Sequence, residues 1–122
     1  MLVVEDEDPL RQAVKRMLGR AGYEVLEAAN GSDAIELLRA RGEEIDLLLL
    51  DMTIPGAPSE EVLAEAVRAR PDLKIILTSA YSEEMAHTKL RAPQVRGFVR
   101  KPFQLEELVR VFRNALSLEA RA

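Results

Sequence analysis

Short runs of apolar residues alternate with amphipathic segments five times along the chain. Such a run reads as a strand covered on both faces, and apolar positions three and four apart read as a helix lying against it. The first run occupies residues 2–5. Asp8-Pro9 then supplies an N-cap with proline at the first helical position, and Leu10, Val14, Met17 and Leu18 form the buried stripe of a first helix, bracketed by Gly19 and Gly22. A second strand is predicted over 23–28. Asn30-Gly31-Ser32 is a turn running into an N-cap, after which Ile35, Leu37 and Leu38 carry a second helix up to Gly42. The third strand covers 46–50. After Pro55-Gly56-Ala57-Pro58, Ser59 reads as an N-cap with Glu60 and Glu61 in the first turn, where the helix dipole favours acids. That third helix runs to about residue 70, and Pro71 stops it. A fourth strand over 73–78, a helix over 83–90, a fifth strand over 97–99 and a helix over 105–118 complete the pattern.

Strict alternation of strand and helix predicts an α/β fold, a doubly wound parallel sheet with helices on both faces. With 122 residues the chain is about one domain. It begins almost inside its first strand, so a domain cut from a longer protein is expected. Charged residues at 31% and hydrophobic residues at 48% fit a globular protein rather than a disordered one. The net charge of −4 gives no support for a nucleic-acid surface. The absence of cysteine excludes a disulfide framework and a thiolate metal site. No apolar run approaches the length of a membrane span and no signal peptide precedes the first strand, so a cytoplasmic domain without membrane contact is expected.

The chemistry gathers at the ends of the strands. Asp46-Leu47-Leu48-Leu49-Leu50-Asp51 would present Asp51 at the carboxyl edge of the sheet, where ligands of open α/β sheets bind. The first strand ends in Glu5 and Asp6, and the last ends in Lys101-Pro102. Three carboxylates held close together disfavour one another's charged forms and call for a counter-charge. A hard divalent cation such as Mg²⁺ supplies it, because it takes oxygen ligands and commonly bridges carboxylates to a phosphate oxygen. Lys101 adds a second positive charge. The set suits the acceptance of a phosphoryl group, with Asp51 as nucleophile.

Val3-Val4-Glu5-Asp6, Leu50-Asp51-Met52-Thr53-Ile54-Pro55-Gly56, Thr78-Ser79-Ala80 and Lys101-Pro102-Phe103 together resemble the receiver domains of two-component response regulators and hybrid histidine kinases, over essentially the whole chain. The resemblance implies a flavodoxin-like, five-stranded sheet of order 2-1-3-4-5 with five helices. It implies that Glu5 and Asp6 bind Mg²⁺ with Asp51 and the backbone carbonyl of Thr53, and that Asp51 is the phosphoacceptor. Ser79 would then hydrogen-bond one phosphoryl oxygen and Lys101 pair with another, and the Lys101-Pro102 bond would be cis. The implied donor is a histidine kinase or histidine phosphotransfer domain. Pro9, Leu10 and Arg11, with Phe103 and Gln104, are the expected docking residues. Phe98 stands where the family has a switch aromatic, and Thr53 and Tyr81 stand where it tunes the lifetime of the phosphoryl group. The Thr78-Ser79-Ala80-Tyr81-Ser82 run and Lys101-Pro102-Phe103 look most like receivers attached to hybrid kinases.

Each residue alone has a plainer reading: an Asp or Ser after a strand caps or turns, Lys-Pro turns, and an aromatic on a strand is core. The combination at four strand ends carries the functional reading. Two departures from the family pattern stand out. Ser59 replaces a common glycine, and Pro93-Gln94 breaks the usual approach to the last strand. The face made by the fourth helix, last strand and last helix carries Lys89, Arg91, Arg96, Arg100, Arg110 and Arg113, and is a candidate for self-association. His87 reads as a solvated surface residue. Three competitors are weaker. An aspartate-nucleophile phosphatase resembles Asp-x-Asp, whereas Thr53 stands at the second position. A flavodoxin-type cofactor module needs a phosphate loop where Glu5-Asp6-Glu7-Asp8 would repel one. A pseudo-receiver would lack Asp51, Asp6 or Lys101, and all are present.

Overall fold

A computed structural model describes residues 1–81 and 92–120. The expected helix over 83–90, with His87, Lys89 and Arg91, lies outside the described residues. Five parallel strands, β1 (Leu2–Val4), β2 (Leu26–Ala28), β3 (Leu47–Asp51), β4 (Lys74–Ser79) and β5 (Val95–Arg100), form one sheet of order β2-β1-β3-β4-β5. The expected strand order is therefore observed.

Side chains alternate across the sheet and build a core on each face. Leu2, Val4, Leu48, Leu50, Ile75 and Leu77 pack against α2 (Gly31–Arg41) and α3 (Ser59–Ala69) through Ala34, Leu38, Val62 and Ala66. Val3, Leu47, Leu49, Ile76 and Val99 pack on the other face against α1 (Asp8–Arg20) and the C-terminal helix (Leu105–Ala120), through Val14, Leu18, Leu108 and Phe112. This double coverage explains why the strands read as unbroken apolar runs.

Local chemistry shifts several boundaries. α1 starts one residue earlier than expected: Glu7 is its N-cap, without a side-chain cap bond, and Asp8 lies in its first turn. Ser59 is likewise inside α3, behind Pro58, and its hydroxyl donates to the Met52 carbonyl 3.1 Å away. Within the Asn30-Gly31-Ser32 turn, Asn30 caps α2 by accepting from the Asp33 amide at 2.8 Å. β2 is shorter than predicted because the backbone at Gly22 turns through a positive φ of 94° and Tyr23 bonds back to Leu18. β5 is longer, since its register against β4 skips Arg96 between Val95 and Gly97. Pro93-Gln94 leads into it, with the Gln94 side chain donating to the Pro71 carbonyl at 2.8 Å.

Candidate functional site

The carboxyl edge of the sheet carries the acids and the lysine because β1, β3 and β5 all end there. Asp51 is the last residue of β3 and only 1% exposed. Its Oδ1 accepts from the Thr53 amide at 3.0 Å and the Thr53 hydroxyl at 3.2 Å. Its Oδ2 lies 2.9 Å from Lys101 Nζ. Lys101 follows β5, fixed by its amide bond to the Ser79 carbonyl at 2.8 Å, and the Lys101-Pro102 peptide is cis. The same ammonium reaches Glu5 Oε1 at 2.7 Å and, more distantly, Glu7 Oε2 at 3.4 Å.

Glu5 is held on every side. Its amide donates to the Ala28 carbonyl on β2 at 3.1 Å, its carbonyl accepts from Arg11 Nη1 at 2.9 Å, and its carboxylate accepts from the Glu7 amide at 3.1 Å. Burial, with a smaller push from nearby Asp51, raises its carboxyl pKa to about 7 against the pull of Lys101 and the Glu7 amide. Lys101 shows the complementary balance. Burial lowers its pKa, but hydrogen bonds to Glu5 and Asp51 outweigh this and the net direction is upward. The lysine is charged throughout the physiological range.

Asp6 is exposed, beside the buried pair, and one carboxylate oxygen each from Glu5, Asp6 and Asp51 lie within 4.8 Å of one another. Two buried acids, one exposed acid and an adjacent exposed Thr53 make an oxygen-rich cup open on one side, a donor set that fits a hard divalent cation.

The remaining expected residues distribute around this cup. Ser79, at the end of β4, is fully buried and its Oγ accepts from the Tyr81 amide at 2.9 Å. The Tyr81 residue is 41% exposed. Phe98 is half-buried on β5 and packs on the core shared with α2 and α3. Pro9 and Gln104 are exposed, while Leu10 and Phe103 are half-buried. A groove of about 480 Å³ next to the acids is lined by Glu7, Leu10, Ala80, Lys101, Pro102 and Phe103. Arg11 turns its guanidinium back onto its own molecule, reaching Glu5, Glu27 and Asp8. Sequence spacing places Arg11 near the loop but carries no sign of this threefold engagement, which depends on Glu27 of β2 lying in register with Val3.

The family model for the response regulator receiver domain matches residues 1–113. The chain belongs to this family. Over 116 residues it is 36% identical to the sensor kinase CckA of Brucella abortus, covering 95% of this chain and 12% of that protein. Over 109 residues it is 32% identical to the response regulator receiver protein CpdR of the same organism, covering 89% of each. Among solved structures, the receiver domain of the hybrid histidine kinase CckA superposes with a TM-score of 0.79 at 31% identity, over 94% of this chain and 96% of that one. TrrA of Thermotoga maritima, in complex with Mg²⁺ and BeF, superposes with a TM-score of 0.77 at 33% identity, over 93% of this chain and 96% of that one. The chain is thus a receiver domain of two-component signalling, the phosphoacceptor component of such systems. Among the described residues, no helix is long and apolar enough to cross a membrane.

Proposed function

We propose that Asp51 accepts a phosphoryl group from a phosphohistidine on a partner histidine kinase or phosphotransfer domain. A carboxylate oxygen of Asp51 attacks phosphorus, the phosphorus–nitrogen bond to the imidazole breaks, and the product is an acyl phosphate on Asp51. The observation that carries this reading is the bridge of Lys101 Nζ between the buried carboxylates of Glu5 and Asp51. An ammonium poised at a nucleophilic carboxylate neutralises charge that an incoming phosphoryl group brings.

Glu5, Asp6, Asp51 and the Thr53 carbonyl would hold Mg²⁺, which when bound supplies charge neutralisation to the phosphoryl oxygens. Ser79, whose hydroxyl can donate while its oxygen accepts from the Tyr81 amide, would donate to one phosphoryl oxygen, and Lys101 would pair with another. The domain catalyses its own phosphorylation and dephosphorylation, since these groups stand ready without the partner. Phe98 is the proposed switch residue, and Thr53 and Tyr81 set the lifetime.

Partner docking is assigned to Pro9, Leu10, Arg11, Phe103 and Gln104, of which Leu10 and Phe103 line the groove; a donor histidine must come within attack distance of Asp51. The domain is assigned to the cytoplasm and, on its likeness to CckA, to a hybrid kinase. Incubation with acetyl phosphate and Mg²⁺, without any partner protein, tests both the site and self-catalysis. Wild type should gain one phosphoryl group by intact mass and Asp51→Ala none; equal labelling of both would overturn the assignment.

A further inference from the structure

Glu27 is an acid on an edge strand, yet three side chains from α1 converge on it. Arg11 Nε and Gln12 Nε2 donate to its Oε1 at 3.0 and 2.9 Å, and Lys15 Nζ lies 2.6 Å from its Oε2. Lys15 and Gln12 go no further among the contacts at Glu27, but Arg11 does. Its Nη1 donates to the Glu5 carbonyl at 2.9 Å and its Nη2 pairs with Asp8 at 2.6 Å. The Arg11 side chain is only 11% exposed and its partner Glu27 26%, whereas Asp8 at the far end of the fork is 76% exposed. A planar guanidinium offers five donors in fixed directions, and here they join β2, the loop after β1 and the first turn of α1.

That loop carries the acids of the candidate metal site. Glu5 lies at its start, and Glu5 Oε2 receives the Glu7 amide. Displacing the Glu5 carbonyl therefore turns the peptide that leads to Asp6 and shifts the carboxylate. We propose that Arg11, anchored by Glu27, is a positioning residue that presets the Glu5–Asp6 loop for Mg²⁺. The proposal rests on the Mg²⁺ reading above. Groups that orient metal ligands commonly change affinity ten- to a hundredfold when removed, through geometry rather than direct contact.

Lys15 provides the internal control, because it pairs with Glu27 as closely as Arg11 does but, among the described residues, makes no hydrogen bond or ion pair to the loop. Two measurements test the idea: Mg²⁺ affinity by calorimetric titration, and hydrogen exchange of the Glu7 amide in metal-free buffer. Arg11→Ala should weaken Mg²⁺ binding about tenfold and speed Glu7 exchange, Glu27→Gln should act in the same direction, and Lys15→Ala should leave both unchanged. If Arg11→Ala does not fold, Glu27→Gln carries the test. Wild-type Mg²⁺ affinity and exchange in both Arg11→Ala and Glu27→Gln, or equal losses in Lys15→Ala, would overturn the brace. Absence of Mg²⁺ binding by wild type would instead defeat the metal reading, and the metal-free exchange would still decide whether Arg11 orders the loop.

Discussion

Lys101 Nζ stands 2.7 Å from Glu5 Oε1, so the ammonium assigned to an incoming phosphoryl group is already paired with an acid assigned to the metal. The same nitrogen reaches Asp51 at 2.9 Å. Without it, two buried carboxylates would face each other with their common cation gone. Lys101→Met keeps the apolar stem and removes the charge. In metal-free buffer at neutral pH it should lose roughly 1–3 kcal/mol of stability. Mg²⁺ should then raise the melting temperature of Lys101→Met more than that of wild type, because the divalent cation replaces the missing charge. Equal increments in thermal unfolding would show that the lysine and the metal do not share these oxygens.

The raised pKa of Glu5 gives the metal-free domain a specific pH signature. A carboxyl that titrates at about 7 when folded, against 4.5 as its ordinary value, binds more protons in the native state between those values. Its contribution to stability is therefore full below the ordinary value and is lost as pH rises through 7. Glu27, whose carboxyl is lowered by Lys15 and Arg11, acts the other way and at more acid pH. Denaturant unfolding of wild type and Glu5→Gln between pH 5 and 8 should show the wild type losing stability relative to the variant as pH rises. Parallel curves would mean that Glu5 is ionised across the range.

Much of this architecture was legible because a strand covered on both faces must be apolar at consecutive positions, which Leu47 to Leu50 display directly. The strand-end residues Glu5, Asp51, Ser79 and Lys101 could be placed for the same reason, since a strand end fixes where its next side chain emerges. Caps were less legible. Asp8 and Ser59 are good N-cap residue types, but Glu7 and Pro58 hold the extended cap conformations, and the Ser59 hydroxyl serves Met52 instead. The partners of Arg11 depend on side-chain directions across three separate segments, for which sequence spacing has no signal.

Gly31 illustrates a constraint of packing rather than of turn chemistry. Its amide donates to the Pro55 carbonyl at 2.9 Å, and a Cβ on it would collide with the Ala57 carbonyl oxygen. The α2 N-terminus thus lies directly on the loop that follows Asp51. The collision is with backbone, which cannot rotate aside as a side chain can. Gly31→Ala should cost roughly 1–3 kcal/mol and should weaken Mg²⁺ binding by moving the segment that carries Thr53. Thermal melts with Mg²⁺ titration check both effects; unchanged stability would mean that the loop yields without strain.

Phosphoryl lifetime should depend on Tyr81. Hydrolysis requires a water in line with the acyl phosphate, and Thr53 offers neither an acid nor an amide side chain to orient one. Its hydroxyl already donates to Asp51 at 3.2 Å. Tyr81 is tied to the site through its backbone amide, which donates to Ser79 Oγ at 2.9 Å, and 41% of the residue is exposed. A ring anchored beside Ser79 would obstruct one direction of approach. Slow loss of phosphate is therefore expected from wild type, faster loss from Tyr81→Ala, and a wild-type rate from Tyr81→Phe, which keeps the ring. Decay of the phosphorylated species followed by intact mass distinguishes the cases. Equal rates in wild type and Tyr81→Ala would leave the ring a bystander, whereas acceleration in Tyr81→Phe as well would assign the effect to the hydroxyl rather than to shielding.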